Sequence, residues 1–247
     1  MTQQTDVVVV GSGQAGLAAG YHLHRRGLDF VILNAGTAPG GAWQHMWDSL
    51  HLFSPAQYSS LPGRLMPVQP GETYPDSGHV VDYLTDYEKR HGLPLQHSTR
   101  VDAVRRDGGK LMVEADSGTW RARAVISATG SWSRPFLPAV PGQSVFTGRQ
   151  LHTVNYRQPA DFAGQHVIVV GSGNSGPQIA ADLALDGQVE VTWATRRPPR
   201  FLPDEALGEP RLHLLGYGDW TGPASPTLIG VGQPARDAIR EVAGLLA

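Results

Sequence analysis

The chain opens on an unbroken β-branched run, Val7-Val8-Val9-Val10, with no polar position to turn toward water. That pattern predicts a strand buried on both faces of a parallel sheet. Leu17, Tyr21 and His24 then recur at helical spacing up to Gly27, a helix stop, and Phe30-Val31-Ile32-Leu33 supplies a second strand. Residues 6–34 therefore read as one β-α-β unit. A loop-rich, aromatic-rich stretch runs from Gly36 to Pro75, and residues 79–91, with Val80, Val81, Leu84 and Tyr87 on one face, predict an amphipathic helix. Three short strands fill roughly 100–127 as a β-meander, with turns at Asp107-Gly108-Gly109 and Asp116-Ser117-Gly118, and lead into Ala124-Val125-Ile126-Ser127-Ala128-Thr129-Gly130. After a Pro-rich connection the opening pattern returns as Val167-Ile168-Val169-Val170, a helix to about Leu185 and a strand from Val189 to Ala194. A last amphipathic helix, about 234–246, closes the chain.

Each apolar strand runs into the same glycine spacing, Gly11-Ser12-Gly13-Gln14-Ala15-Gly16 and Gly171-Ser172-Gly173-Asn174-Ser175-Gly176. Strand before and helix after is the context in which G-x-G-x-x-G works mechanically. The first glycine permits the tight turn, the second lets the backbone approach a pyrophosphate, and the third lets helix pack on strand. The helix N-terminus then offers N–H groups and a positive dipole end to phosphates. The competing reading of either copy is an ordinary Gly-rich turn; taken at face value, two copies imply two nucleotides. About 20 residues past such a motif the end of the second strand meets the adenosine ribose. That position is Asn34 in the first unit, where an acid is usual, and Thr195-Arg196-Arg197 in the second. Adjacent arginines suit a 2′-phosphate and so favour NADPH over NADH, against the alternative of a solvated basic turn.

Composition narrows the chemistry. The 247 residues, 40 % hydrophobic and 17 % charged, are those of a globular chain with one large or two small domains. No apolar run approaches the ~20 residues of a membrane helix, and a net charge of −2 gives no basic field for nucleic acid or an anionic membrane. The absence of cysteine excludes disulfides, a thiolate nucleophile and Cys-ligated zinc, so redox chemistry must come from a bound cofactor. The histidines show no metal-ligand spacing, so no metal is expected. The polar start, Met1 to Asp6, lacks the layout of a signal peptide and leads to the expectation of a cytoplasmic protein.

Ala128-Thr129-Gly130 after a meander, together with the N-terminal β-α-β unit and a late Gly218-Asp219, resembles the FAD-binding fold of two-dinucleotide flavoproteins. Phe146-Thr147-Gly148-Arg149-Gln150-Leu151-His152-Thr153-Val154-Asn155-Tyr156 matches F-x-G-x-x-x-H-x-x-x-[FY], the fingerprint of flavin-containing monooxygenases, the class B flavoprotein monooxygenases, and their Baeyer–Villiger relatives. Gly40-Gly41-Ala42-Trp43 is similar to the G-G-x-W that those families place near the flavin, and the likeness spans residues 6 to about 200, resuming near 212. Leu50 to Pro55 looks like a bacterial subgroup in which Phe53 stands where typical members have an Asn close to flavin C4a.

The resemblance implies an α/β fold: a Rossmann-like FAD-binding domain with an inserted β-meander, over 1–157 and 211–247, and a second, truncated NAD(P)-binding Rossmann unit over 158–210. It places the FAD pyrophosphate on Gly11, Gly13, Gln14 and Ala15, the ribose on Asn34 and the adenine by Val101. Gly41, Trp43, Leu52, Phe53 and Ser54 would line the flavin, with Ala128, Thr129 and Gly130 beside it. Asp219 would bond the ribityl or pyrophosphate region, and Leu228 would lie at the pyrimidine edge. NADPH would take Gly171, Gly173, Asn174, Ser175, Arg196 and Arg197. The implied chemistry is reduction of FAD by NADPH, addition of dioxygen at C4a, and transfer of one oxygen atom from the peroxyflavin to a sulfide, an amine or a ketone. The partners are a small-molecule substrate and dioxygen, and a homodimer is compatible. Phe53 cannot hydrogen-bond a peroxide, which motivates an uncoupled NADPH oxidase as an alternative. The short span between Arg197 and Leu212 motivates another, an FAD-binding module without turnover. Disulfide reductases of the thioredoxin-reductase type share the two-nucleotide plan but need cysteines that this chain lacks.

Overall fold

The computed structural model describes residues 2–196 and 232–246. The opening run becomes β1 (Thr2–Val10), central because it pairs in parallel on both sides. On one side lies β2 (Phe30–Leu33), with Val7 opposite Phe30, and on the other β6 (Gly118–Ser127), with Val7 opposite Ala124. Two antiparallel strands, β4 (Val101–Asp107) and β5 (Lys110–Ala115), continue outward from β6, and β3 (Leu95–Gln96) edges β2. The order is β3-β2-β1-β6-β5-β4, a mixed six-stranded sheet.

The meander is thus continuous with the parallel core. The ten-residue β6 carries β5 antiparallel along its first half while it runs beside β1 from Thr2 opposite Thr119 to Val10 opposite Ser127. The two-residue β3 is absent from the hydrophobic pattern because it is too short to show a period and Pro94 precedes it. It is held through backbone bonds, Ile32 N–H to the Pro94 carbonyl and Asn34 N–H to the Gln96 carbonyl, each 2.9 Å.

Helix α1 (Gln14–Arg25) returns the chain from β1 to β2 and buries Leu17, Ala18, Ala19 and Leu23. Gly20 lets it approach the sheet: a methyl there would lie 2.8 Å from Ile32 Cδ1. Helix α2 (Ser77–His91) begins two residues before its hydrophobic pattern because the Asp76 carboxylate accepts the His79 N–H at 2.7 Å, an N-cap. It ends at Gly92, whose φ of 55° is the left-handed conformation of a C-cap glycine. Val80, Tyr83, Leu84 and Tyr87 join Val7, Val9 and Ile32 in the main core, and Ile239 of α4 (Gly232–Leu246) closes it. Trp120, Val113, Val8 and Leu33 form the core on the other face of the sheet.

A second β-α-β unit comprises β7 (His166–Val170), α3 (Ser175–Asp186) and β8 (Glu190–Ala194), with β7 and β8 parallel from His166 opposite Glu190 to Val170 opposite Ala194. The described residues divide into two compact units, 2–44, 52–130 and 232–246 in one, 45–51 and 131–196 in the other. The architecture is an α/β Rossmann-like fold with a mixed sheet. Among the described residues, no helix is long and apolar enough to cross a membrane.

Candidate functional site

In the first unit the carboxyl end of β1 is a switch point, since the chain leaves β1 for β2 on one side and pairs it with β6 on the other. Ligands of open α/β sheets bind in such crevices. Gly11 has a φ of 105°, and a methyl on it would stand 2.4 Å from the Ala128 carbonyl oxygen, so the turn lies directly on the end of β6. Gly16 is tighter still: a methyl would meet the Gly11 carbonyl oxygen at 1.9 Å. Around Gly13 the reverse holds, because none of the described residues comes within 4 Å of a methyl placed there. Gly13 is the N-cap of α1, no side chain among the described residues caps the helix, and its first turn holds no acidic residue. Among the described residues, then, the positive end of α1 carries a glycine whose side-chain position is clear, an arrangement that can receive a phosphate.

The strand-end residues Ala128, Thr129 and Gly130 are brought to this turn. The Ala128 N–H bonds the Val10 carbonyl at 2.8 Å, Thr129 Cα lies 3.4 Å from the methyl position of Gly11, and Gly130 is left-handed at φ 62°. Gly41 and Trp43 also converge here. A methyl on Gly41 would meet Gly13 Cα at 2.8 Å, and Trp43 Nε1 donates to Gln14 Oε1 at 3.0 Å. Ser12, between the first two glycines, is fully buried, and its hydroxyl has no hydrogen-bond partner among the described residues. Nothing in the motif singles it out, since the position accepts any residue.

Asn34 stands at the end of β2 and is 9 % exposed. Its Nδ2 donates to the Gly36 carbonyl at 3.2 Å and lies 3.0 Å from His97 Nδ1, while His97 Nε2 lies 2.8 Å from Glu88 Oε1. His97 and Glu88 escape sequence reasoning because they come from the loop after β3 and the last turns of α2, and belong to no motif. Val101 starts β4 and packs against the core on the Trp120 face of the sheet. Leu52 and Ser54 are buried and Phe53 is half-buried. Ser54 Oγ is 2.7 Å from Ser59 Oγ, so its hydroxyl is engaged within its own loop.

In the second unit Gly171 has a φ of 128°, and a methyl on Gly176 would lie 2.6 Å from the Gly171 carbonyl oxygen, repeating the first turn more loosely. That oxygen also accepts Trp193 Nε1–H at 2.7 Å. Asn174 precedes α3 in a helical conformation without a capping side-chain bond, and Ser175 is the first helical residue. Arg196 is exposed at the end of β8. Arg197, Asp219 and Leu228 lie outside the described residues. The fingerprint is built into the framework: His152 Nδ1 accepts the Val154 N–H at 3.2 Å, and the Tyr156 hydroxyl donates to Asp182 of α3. Among the described residues no cluster of His, Asp and Glu could hold a metal ion.

The profile of the pyridine nucleotide-disulphide oxidoreductase family matches residues 8–206. The chain is similar to the solved flavin-containing monooxygenase of Stenotrophomonas maltophilia, at 37 % identity and a TM-score of 0.89 with 100 % of each chain covered. An uncharacterized CzcO-like oxidoreductase of Geobacillus kaustophilus is 34 % identical over 85 % of this chain and 59 % of its own length. An indole-3-pyruvate monooxygenase of Oryza sativa subsp. japonica is also 34 % identical, over 81 % of this chain and 50 % of its own. The chain thus spans about half the length of the curated relatives it matches. By its profile and its fold, the chain belongs to the pyridine nucleotide-disulphide oxidoreductase family, as a flavin and pyridine-nucleotide oxidoreductase related to flavin monooxygenases.

Proposed function

We propose that this protein is an FAD- and NADPH-dependent monooxygenase that transfers one oxygen atom from dioxygen to a soft nucleophile, a sulfide or an amine, or to a ketone. The balance is substrate, dioxygen, NADPH and a proton in, and oxygenated substrate, NADP⁺ and water out. The observation that carries this reading is the N-terminus of α1, which the described residues leave uncapped and clear at Gly13, with Gly41 and Trp43 set against it. Together with the likeness to a flavin-containing monooxygenase over the whole chain, it supports FAD as the ligand of the first unit. Bound FAD supplies the redox chemistry.

The chain's own residues bind and orient. Gly11, Gly13, Gln14 and Ala15 take the pyrophosphate, because the N–H groups of the first helical turn point along the α1 axis toward it. Trp43 is held by Gln14 at 3.0 Å and so keeps a fixed apolar surface next to the phosphate turn. Asn34 takes the ribose and Val101 the adenine. Leu52 and Phe53 keep the reacting end dry. Gly171, Gly173, Asn174 and Ser175 receive the NADPH pyrophosphate, and Arg196 with Arg197 its 2′-phosphate. Substrate and dioxygen are the remaining partners, and the cytoplasm is the compartment this reading assumes.

Phe53 favours one second reading, an NADPH oxidase releasing hydrogen peroxide, since a phenyl ring offers no hydrogen bond to a reacting oxygen. The test is to mix the FAD-loaded protein with NADPH without oxygen, follow the flavin absorbance, then admit oxygen with a sulfide or amine. Bleaching followed by oxygenated product is expected. Bleaching with hydrogen peroxide as the only product would establish the oxidase instead. FAD that binds but never bleaches would leave a flavin-binding module, and failure to take up FAD would overturn the reading altogether.

A further inference from the structure

We propose that His97 and Glu88 are positioning residues that make Asn34 an acceptor-only group, so that an uncharged amide does the work of the acid usual at this position. The inference rests on the reading that the first unit holds FAD with its adenosine ribose at the end of β2.

Donors and acceptors fix the orientation of the Asn34 amide. A glutamate carboxylate only accepts, so the 2.8 Å contact between Glu88 Oε1 and His97 Nε2 requires the hydrogen to sit on Nε2. In a neutral imidazole that leaves Nδ1 as an acceptor, facing Asn34 at 3.0 Å. Asn34 must turn its NH₂ toward it. The Gly36 carbonyl, 3.2 Å from the same nitrogen, is an obligate acceptor and demands the same orientation independently. Flipping the amide would set Oδ1 against the Gly36 oxygen, so the two contacts lock one state.

Both amide hydrogens of Asn34 are then committed inside the protein. What the residue has left is Oδ1, which accepts no hydrogen bond from the described residues. A ribose edge brings hydroxyl donors, and the acid of the common fingerprint meets them with acceptor oxygens. Asn34 presents the same polarity without the charge. A freely rotating amide would offer either end.

The anchor is well placed for this task. Glu88 and His97 are 16 % and 23 % exposed, so their bond is shielded from water, and the second Glu88 oxygen has no partner among the described residues. His97 is therefore the side chain that pairs with that carboxylate through Oε1, and the carboxylate is what keeps His97 in one tautomer. Gly36 completes the set, since a methyl there would press on Asn34 Nδ2 at 3.1 Å.

The test compares FAD, FAD lacking the adenosine 2′-hydroxyl, and FMN, each titrated into flavin-free protein with quenching of flavin fluorescence as the readout. The unaltered protein is expected to bind FAD roughly five- to tenfold more tightly than the 2′-deoxy compound, the worth of one hydrogen bond. His97→Phe keeps an aromatic ring but cannot accept, and should erase that preference; His97→Ala serves the same purpose if the larger ring does not fold. His97→Gln has one donor and one acceptor at similar reach and should restore it to within about twofold. In an Asn34→Ala background, replacing His97 should change FAD affinity no further, whereas a merely structural role would add its own loss. A His97→Phe or His97→Ala protein with the preference intact would overturn this inference while leaving FAD binding in place. Equal affinity for FAD and FMN, or none for either, would instead remove the underlying reading.

Discussion

Two glycines of one motif do opposite jobs, and the difference is measurable. At position 16 a methyl would lie 1.9 Å from a carbonyl oxygen of the turn, so helix and strand must separate to admit it. At position 13 a methyl would meet none of the described residues within 4 Å. Gly16→Ala is therefore expected to cost about 1–3 kcal/mol or more of folding stability, the scale of overpacking. Gly13→Ala should change stability by less than about 1 kcal/mol yet weaken FAD binding, because its methyl would fill the approach a pyrophosphate needs. Denaturant unfolding and FAD titration of both variants check the pair; equal loss of stability in both would contradict the division. The sequence motif announces both glycines and the strand-helix context that gives them meaning. It is silent on Ser12, His97 and Glu88, because the positions between motif residues are free and contacts across 63 residues leave no periodic trace.

Helix α2 shows the same limit one scale up. Its apolar face is legible, since Val80, Leu84 and Tyr87 recur at helical spacing, but what the tyrosine hydroxyls do is not. The Tyr83 hydroxyl accepts the Leu61 N–H at 2.6 Å and donates to the Arg64 carbonyl at 2.7 Å, and the Tyr87 hydroxyl donates to the Pro62 carbonyl at 2.7 Å. The helix thereby pins the 61–64 loop, which has no pattern of its own. Burial pushes Tyr83 up to about 12 and Tyr87 up as well, while His91, whose ring lies tilted against that of Tyr87, is lowered by burial first and by the neighbouring Arg90 second. For Tyr83 the folded value lies above the ordinary 10.0, so its contribution is complete below pH 10 and is lost as pH rises through about 12, and Tyr87, also raised by burial, adds to the same alkaline fall. For His91 the folded value lies below the ordinary 6.5, so its contribution is present above that pH and is lost as pH falls. Stability against urea should be flat between these limits and fall on both sides. Tyr83→Phe should lower the plateau by about 1–3 kcal/mol, the cost of leaving the buried Leu61 N–H unpaired, and soften the alkaline fall. A Tyr83→Phe protein with unchanged plateau and unchanged alkaline limb would refute this assignment.

At the scale of the whole chain the two β-α-β units share a plan but not a degree of burial. In the first, β1 and β2 are covered on both faces: Val7, Val9 and Ile32 lie in one core, Val8, Val31 and Leu33 in the other. In the second, Ile168 and Val170 of β7 are 55 % and 79 % exposed, and Leu185 of α3 is 86 % exposed. Their apolar run reads identically to that of β1, which is why strand and helix are legible in both units while the difference in burial is not: periodicity reports which residues could be buried, and what covers them is a property of the rest of the chain. Opening free energy follows buried apolar contact, so the units should exchange amide hydrogens differently. Amides of β1, β2 and β6 are expected to exchange slowest and those of β7 and β8 much faster, measured by deuterium uptake of the protein alone. Ligands then separate the units. FAD should slow exchange over residues 11–34 and leave 166–186 unaltered, and NADPH added to the FAD-loaded protein should slow 166–186, since a bound nucleotide stabilises the unit that holds it by RT ln(1 + [L]/Kd). Protection by NADPH confined to the first unit would assign both nucleotides to one glycine turn and remove the second turn from the reaction.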